Sequence, residues 1–448
     1  MTPITHLTNT TFDELNIGMS ASIRKRLTMD DIRLFAVMSG DVNPVSLDSQ
    51  YAQSSRFHDI VAHGMWGGAL ISTVLGTELP GAGTIYAHQT LDFVKPVRLG
   101  DELVVTVTVQ EKKENAHVVF DCDVVNQLGE QVLKGSAEVI APTEKIESEA
   151  VELPDIFVSE RQQLNDLFTR CKAYRPMRVA VVHPCDEVSL EGALMARERG
   201  LIEPVLIGPK LKIQQVAETY GLNLDGVEID AVEHSHAACA RAVELCQMDS
   251  VESVMKGSLH TDELMGALLA KTSGLRTERR VSHVFVFDVP TYPRPLLITD
   301  AAINIAPDLS AKRDIIQNAI ELAHALKIDE PKVAILSAVE TVTPSIPSTL
   351  DAAALCSMAQ RGQITGAVLD GPLAFDNAVS ETAAKIKGIQ SPVAGVADVL
   401  VTPDLESGNM LAKQLEYLAH GEGAGIVLGL RLPIILTSRA DDAISRLA

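Results

Sequence analysis

The chain has 448 residues, about three times the usual length of a single domain, so more than one hydrophobic core is expected. Its 46% apolar and 22% charged residues suffice to build such cores and exclude disorder over most of the length. The 38 Lys and Arg against 59 Asp and Glu leave a net charge of −21, a field that repels nucleic acids and anionic membrane surfaces, so an anionic substrate needs a local arginine cluster.

In chain order, Met1 to Gly18 lacks the basic and apolar regions of a secretory signal, and a cytoplasmic location is expected. Met65 to Leu79 is apolar around most of its circumference, which predicts a helix enclosed by protein. From Asp92 to Ile140 apolar and polar residues alternate, as in Leu103-Val105-Val107-Val109, with turn signals near Gly100 and Gly129. That pattern predicts an antiparallel meander with one buried face, wrapped around the helix. The polar stretch from Ala141 to Leu153 lies just ahead of Pro154 and reads as a linker. The expected organisation is a domain over 1–145, a linker over 146–165 and a second domain over 166–448.

Beyond Met177 short β-branched runs alternate with helical stretches: 178–183, 205–208, 253–256, 283–288, 332–336, 367–370, 398–402 and 434–437. This predicts an α/β fold with a mostly parallel sheet, and sites in such folds gather at the carboxyl ends of the strands. The apolar run from Gly425 to Leu436 is cut by Arg431 and Pro433 and is too short to span a membrane. Gly421, Gly423 and Gly425 read as a flexible turn rather than an anion nest. Six cysteines without a C-x-x-C pair suggest a reducing compartment, and His234 and His236 read as an exposed helix start rather than metal ligands.

The segment Phe35 to Asp48, with Gly40-Asp41-Val42-Asn43-Pro44, then Ile60-Val-Ala-His-Gly-Met65 and Asp92-Phe93-Val-Lys-Pro-Val97, resembles the MaoC-like (R)-specific enoyl-CoA hydratase family. The resemblance implies an α+β hotdog fold and a thioester of coenzyme A as substrate. It also implies an Asp and a His five residues later that activate water, with a backbone N–H donating to the thioester carbonyl. Asp41 matches the acid, Asn43 its neighbour and Gly64 the donor, but position 46 carries Ser46. A hydroxyl does not titrate near neutral pH and has no second nitrogen to relay a proton, so weak or absent hydration is expected. His58 and His63 are the alternative bases, although His63 is expected to fix the helix start. Read without the family, Asp41 and Asn43 form a turn ahead of Pro44.

The stretches Met255 to Thr261, Thr299 to Ile305, Leu336 to Thr341, Asp370 to Asn377, Pro403 to Met410 and Pro433 to Asp441 resemble the phosphate acetyl- and butyryltransferase family over about residues 165–448. The resemblance implies a phosphotransacetylase-type fold and transfer of an acyl group between coenzyme A and phosphate. It implies no metal and no permanently bound cofactor. Ser438 is then expected to donate to the carbonyl oxygen and Arg439 to grip phosphate, since a guanidinium offers paired N–H donors. Asp441, with Asp442 in reserve, is expected to take the thiol proton. Arg276 and Arg280 are expected to contact the anionic substrates, with Arg279, Arg294 and Arg431 as further candidates, and Asp376 is expected to bind substrate. The expected partners are acyl-CoA and phosphate, not nucleic acid or membrane, and the chain is expected to form a homo-oligomer, dimer or larger. A hotdog domain that only binds acyl-CoA or dimerises the chain is the alternative.

Overall fold

The computed structural model describes residues 6–149, 154, 156 and 162–436. The chain divides into two compact units, Met1–Val158 and Ser159–Ala448. Of the expected linker, Glu147–Glu149 pairs antiparallel with His6–Thr8 and Gln162–Cys171 is a helix. Most of the rest lies outside the described residues.

The first unit has the hotdog architecture. Helix Gly64–Thr77 packs on a five-stranded antiparallel sheet ordered Ser20–Arg26, Glu102–Lys112, His117–Val125, Gln131–Ile140 and Ile85–Phe93. The alternation read from the sequence is the cause: Leu103, Val105, Val107 and Val109 are buried with Ile71, Val74 and Leu75 of the helix, while the residues between them face outward. Both edge strands, Ser20–Arg26 and Ile85–Phe93, lie largely outside the expected meander.

The second unit is built on an 11-stranded sheet with helices between its strands. The order is Glu228–Ala231, Ile202–Gly208, Met177–Val182, Ser253–Lys256, Ile434–Ile435, Glu422–Leu428, Ser282–Asp288, Leu296–Thr299, Val399–Val401, Lys332–Leu336 and Val368–Leu373. The first five are mutually parallel. The last four are also mutually parallel. Between them Glu422–Leu428 pairs antiparallel with both Ile434–Ile435 and Ser282–Asp288, and the latter pairs antiparallel with Leu296–Thr299. The two parallel sets therefore run in opposite senses, and the single row of carboxyl ends expected from the sequence is replaced by two.

Gly423 and Gly425 lie inside strand Glu422–Leu428, not in a turn. A Cβ on Gly423 would stand 2.5 Å from the Phe287 ring, and one on Gly425 2.6 Å from both His283 Nε2 and the Leu436 carbonyl oxygen. The glycines make room for aromatic rings of the neighbouring strand. Gly425→Val is therefore expected to destabilise the fold by about 1–3 kcal/mol through overpacking. Gly266→Ala, in helix Thr261–Leu268 with nothing within 4 Å of the added carbon, should be neutral or stabilising by up to about 1 kcal/mol. Denaturant midpoints check both; equal stabilities would contradict this packing.

Candidate functional site

In the first unit, helix Met29–Ser39 is closed at its start by a Thr28/Asp31 capping box and at its end by Gly40 in the left-handed region. The chain then turns on its own polar side chains. Asp41 Oδ1 accepts from Asn43 N–H at 3.2 Å, and Asn43 Oδ1 accepts from Val45 N–H at 3.2 Å as the N-cap of helix Pro44–Leu47. Ser46 lies in that short helix, 2% exposed. The turn role of Asp41 and Asn43, read without the family, is therefore present in the fold.

A cavity of about 300 Å³ opens beside the long helix, lined by His63, Gly64, Gly67, Phe93 and an apolar floor that includes Val132 and Leu133. Gly64 is the first residue of that helix, where backbone N–H groups have no intrahelical acceptor. A Cβ there would come within 3.3 Å of the Phe93 ring. Asp41 and Asn43 are absent from the cavity wall. His63 occupies the N-cap position but its side chain makes no capping bond, contrary to the expected role. Instead the ring stacks on Phe35 at 5.2 Å, and its Nε2 lies 2.9 Å from the Asp41 carbonyl oxygen. His58 is turned away, with Nδ1 3.1 Å from the Gln53 carbonyl oxygen.

In the second unit the last described strand, Ile434–Ile435, pairs in register with Val254–Met255, so Leu436 emerges level with Lys256. Leu436 N–H donates to the Gly425 carbonyl at 3.0 Å. Ser438, Arg439, Asp441 and Asp442 lie outside the described residues.

The sequence reading missed a polar network next to this point. His283 is 1% exposed and stacks edge-on against Phe285 at 4.4 Å. Burial pushes its pKa down to about 4, with the Asp300 carboxylate acting in the opposite direction. Asp300 follows strand Leu296–Thr299 and accepts from the N–H groups of Ala302, Ile303 and Asn304 and from the Asn304 amide. Arg280 Nε donates in turn to Asn304 Oδ1 at 2.6 Å. The His283 ring, on which the Asp300 carboxylate acts, and the Leu436 carbonyl oxygen both stand 2.6 Å from the Cβ position of Gly425. The network's signal was present in the Thr299 to Ile305 stretch, where Asp and Asn stand four apart with two alanines between, a spacing suited to a tight carboxylate-centred turn.

Among the candidate arginines, Arg279 pairs with Glu321, Arg294 with Asp398 and Arg431 with Asp249. The Arg276 and Arg280 side chains form no ion pair among the described residues, and both line a polar pocket of about 360 Å³ at the start of helix Leu309–Ala325. The structure brings these two expected contacts together. Asp376 instead shares Lys387 with Glu340, at 3.0 and 2.8 Å, and this hydrogen-bonded lysine holds both carboxylates below their usual range. His234 caps helix Ser235–Gln247, as a helix start should.

These features define the class by fold: an α/β unit on a mixed 11-stranded sheet, preceded by a hotdog unit. The phosphate acetyl/butaryl transferase family model matches residues 230–446, and the MaoC like domain model matches residues 14–126. The chain is 61% identical over 282 residues to a phosphate acetyltransferase of Rhizobium meliloti, covering 63% of this chain and 89% of that protein. It is 40% identical over 280 residues to a phosphate butyryltransferase of Clostridium acetobutylicum, covering 62% and 93%. A branched-chain phosphotransacylase from Enterococcus faecalis has a similar structure, with TM-score 0.54 and 28% identity over 60% of this chain and 95% of that one. The chain belongs to the phosphate acetyl/butaryl transferase family and carries a MaoC-like domain. Among the described residues no helix is long and apolar enough to cross a membrane.

Proposed function

We propose that the second unit interconverts acyl-CoA plus phosphate with acyl phosphate plus CoA. In the direction of acyl-CoA synthesis, Asp441 takes the thiol proton and the thiolate attacks the acyl phosphate carbonyl. Ser438 donates to the tetrahedral oxyanion, and Arg439 holds the departing phosphate. Arg276 and Arg280, which form no ion pair among the described residues, attract the anionic groups of CoA or phosphate in the pocket they line. Asp376 acts at the substrate through the charge cluster about Lys387.

One observation carries this reading. Strand Ile434–Ile435 lies inside the sheet and the Leu436 N–H is held by the Gly425 carbonyl, so the chain is anchored in the sheet two residues ahead of Ser438 in sequence. The test is release of free thiol from acetyl-, butyryl- and longer acyl-CoA with and without phosphate. Phosphate-dependent release is expected, and release indifferent to phosphate contradicts the proposal.

The first unit is proposed to hold acyl-CoA thioesters in its apolar cavity, with Gly64 N–H facing the carbonyl and the Asp41–Asn43 turn shaping the wall behind His63. Ser46 and the absence of Asp41 from the cavity wall favour binding over fast hydration. A homo-oligomer is supported by the edge position of strand Ile85–Phe93, whose Ile85, Tyr86 and Phe93 are exposed. A cytoplasmic setting suits both substrates.

A further inference from the structure

The two arginines of the polar pocket are held differently. Arg276 is fixed through its backbone, by a bridge to Leu430. Arg280 is fixed along its whole length. Its N–H donates to Asp314 Oδ2 at 3.0 Å, its carbonyl accepts from the Asn318 amide at 2.9 Å, and its Nε donates to Asn304 Oδ1 at 2.6 Å. A guanidinium is planar, so a bond at Nε sets the direction of both Nη groups. Asn304 cannot turn away. It is 2% exposed, and its Nδ2 donates to Asp300 Oδ2 and to the Val281 carbonyl, a carboxylate and a carbonyl that only accept. Flipping the amide would set oxygen against oxygen at both, so Oδ1 is the atom presented to Arg280. Asp300, 3% exposed, is anchored in turn by the N–H groups of Ala302, Ile303 and Asn304.

This chain of bonds orients the arginine without neutralising it. A carboxylate bonded directly to Arg280 would occupy its Nη donors and cancel the charge that an anion needs, whereas the neutral amide between them leaves both available. Asp308 stands close enough to feel that charge, but its carboxylate already accepts from Ala311 N–H and the Ser310 hydroxyl. We propose that Asn304, braced by Asp300, is a positioning residue for acyl transfer: it turns Arg280 so that the Nη pair meets a phosphoryl group, in inorganic phosphate or in coenzyme A. This rests on the reading of the pocket as a substrate anion site. Asn304 itself touches no substrate. The contact it aims is made on binding and kept through the reaction, so its loss weakens binding more than turnover.

The experiment measures thiol release from acetyl-CoA by the full chain while phosphate and acetyl-CoA are varied in turn, for the parent, Asn304→Ala, Arg280→Ala and the double variant. Asn304→Ala is expected to raise one KM by about 10-fold with kcat within about threefold, the loss of one charge-assisted bond. A rise for phosphate assigns the Nη pair to inorganic phosphate, and a rise for acetyl-CoA assigns it to the coenzyme. In the Arg280→Ala background the same change should add less than about twofold, because the residue it acts through is gone. Losses that multiply in the double variant mean that Asn304 only supports the fold, and they overturn the proposal. Arg280→Lys keeps the charge on an exposed side chain but lacks the planar fork that a bond at Nε can aim, so the same KM should rise at least about fivefold. A parental KM in that variant overturns the proposal even where Asn304→Ala does not fold. Arg280→Ala with both KM values unchanged refutes the anion-site reading itself, whereas a raised KM in Arg280→Ala with none in Asn304→Ala refutes the positioning role alone.

Discussion

Arg439→Ala is expected to lower the rate of acyl transfer by about 100- to 1,000-fold, the loss that follows removal of one preorganised donor from a developing charge. In the proposed reaction the acyl group passes to the thiolate and phosphate leaves, and nothing in the overall field stabilises that anion, because the chain carries a net charge of −21. Its anion contacts must therefore be local. Arg276 and Arg280 supply positive charge in their pocket, but Arg280 is already committed through Nε to Asn304. Arg439→Lys should recover only part of the activity, since an ammonium cannot reproduce the paired geometry. Ser438→Ala should fall in the same range, with kcat rather than KM carrying the loss, because in the proposed reaction its hydroxyl donates as the oxyanion forms. The readout is phosphate-dependent thiol release beside an unchanged melting temperature. An Arg439→Ala enzyme within about threefold of the parent removes the carboxy-terminal segment from the chemistry.

The sequence was most informative where one local pattern carried the whole instruction. The alternation from Leu103 to Val109 and the apolar run after Gly64 fix which faces are buried, and they meet in the core of the first unit. The eight β-branched runs of the second half all correspond to strands in the sheet. Elsewhere the cause is distant in sequence. Glycines within Glu422–Leu428 read as a chain breaker because the rings that require them, Phe287 and His283, belong to another strand. The opposite sense of the two parallel sets is equally invisible, since strand-helix alternation looks alike in either direction; only the antiparallel pairing of Glu422–Leu428 reveals it. At the hotdog cavity the motif pointed to the Asp41–Asn43 loop, but not that Asp41 would spend its side chain on Asn43 N–H while its carbonyl faces His63. Residue type gave the chemistry that was available, and tertiary packing decided which atom faced the cavity.

The His283 network gives the second large effect, an acid-sensitive stability centred on one ring. His283 is neutral in the fold because burial pushes its pKa down to about 4. In the unfolded chain a histidine titrates near about 6.5, so below that pH the unfolded state binds the extra proton and the native state does not. Stability from this residue is full above about pH 6.5 and falls as pH drops, reaching a loss of about 3 kcal/mol near pH 4. Carboxylates held low by ion pairs, such as Glu340 beside Lys387 and Glu252 beside Arg175, also lose stabilisation on acidification. His283→Phe isolates the ring's share, because those pairs remain in the variant. Between pH 7 and pH 4 the parent should lose about 3 kcal/mol more than His283→Phe, measured as the difference in denaturant-derived stability at each pH. Parallel pH profiles for the two proteins would mean that the ring is charged or solvated in the fold. Because Gly425 lies against both that ring and the Leu436 carbonyl, protonation of the ring is expected to disturb Leu436, the last described residue ahead of Ser438 in sequence. Acyl transfer should consequently fail at a higher pH than the global fold does.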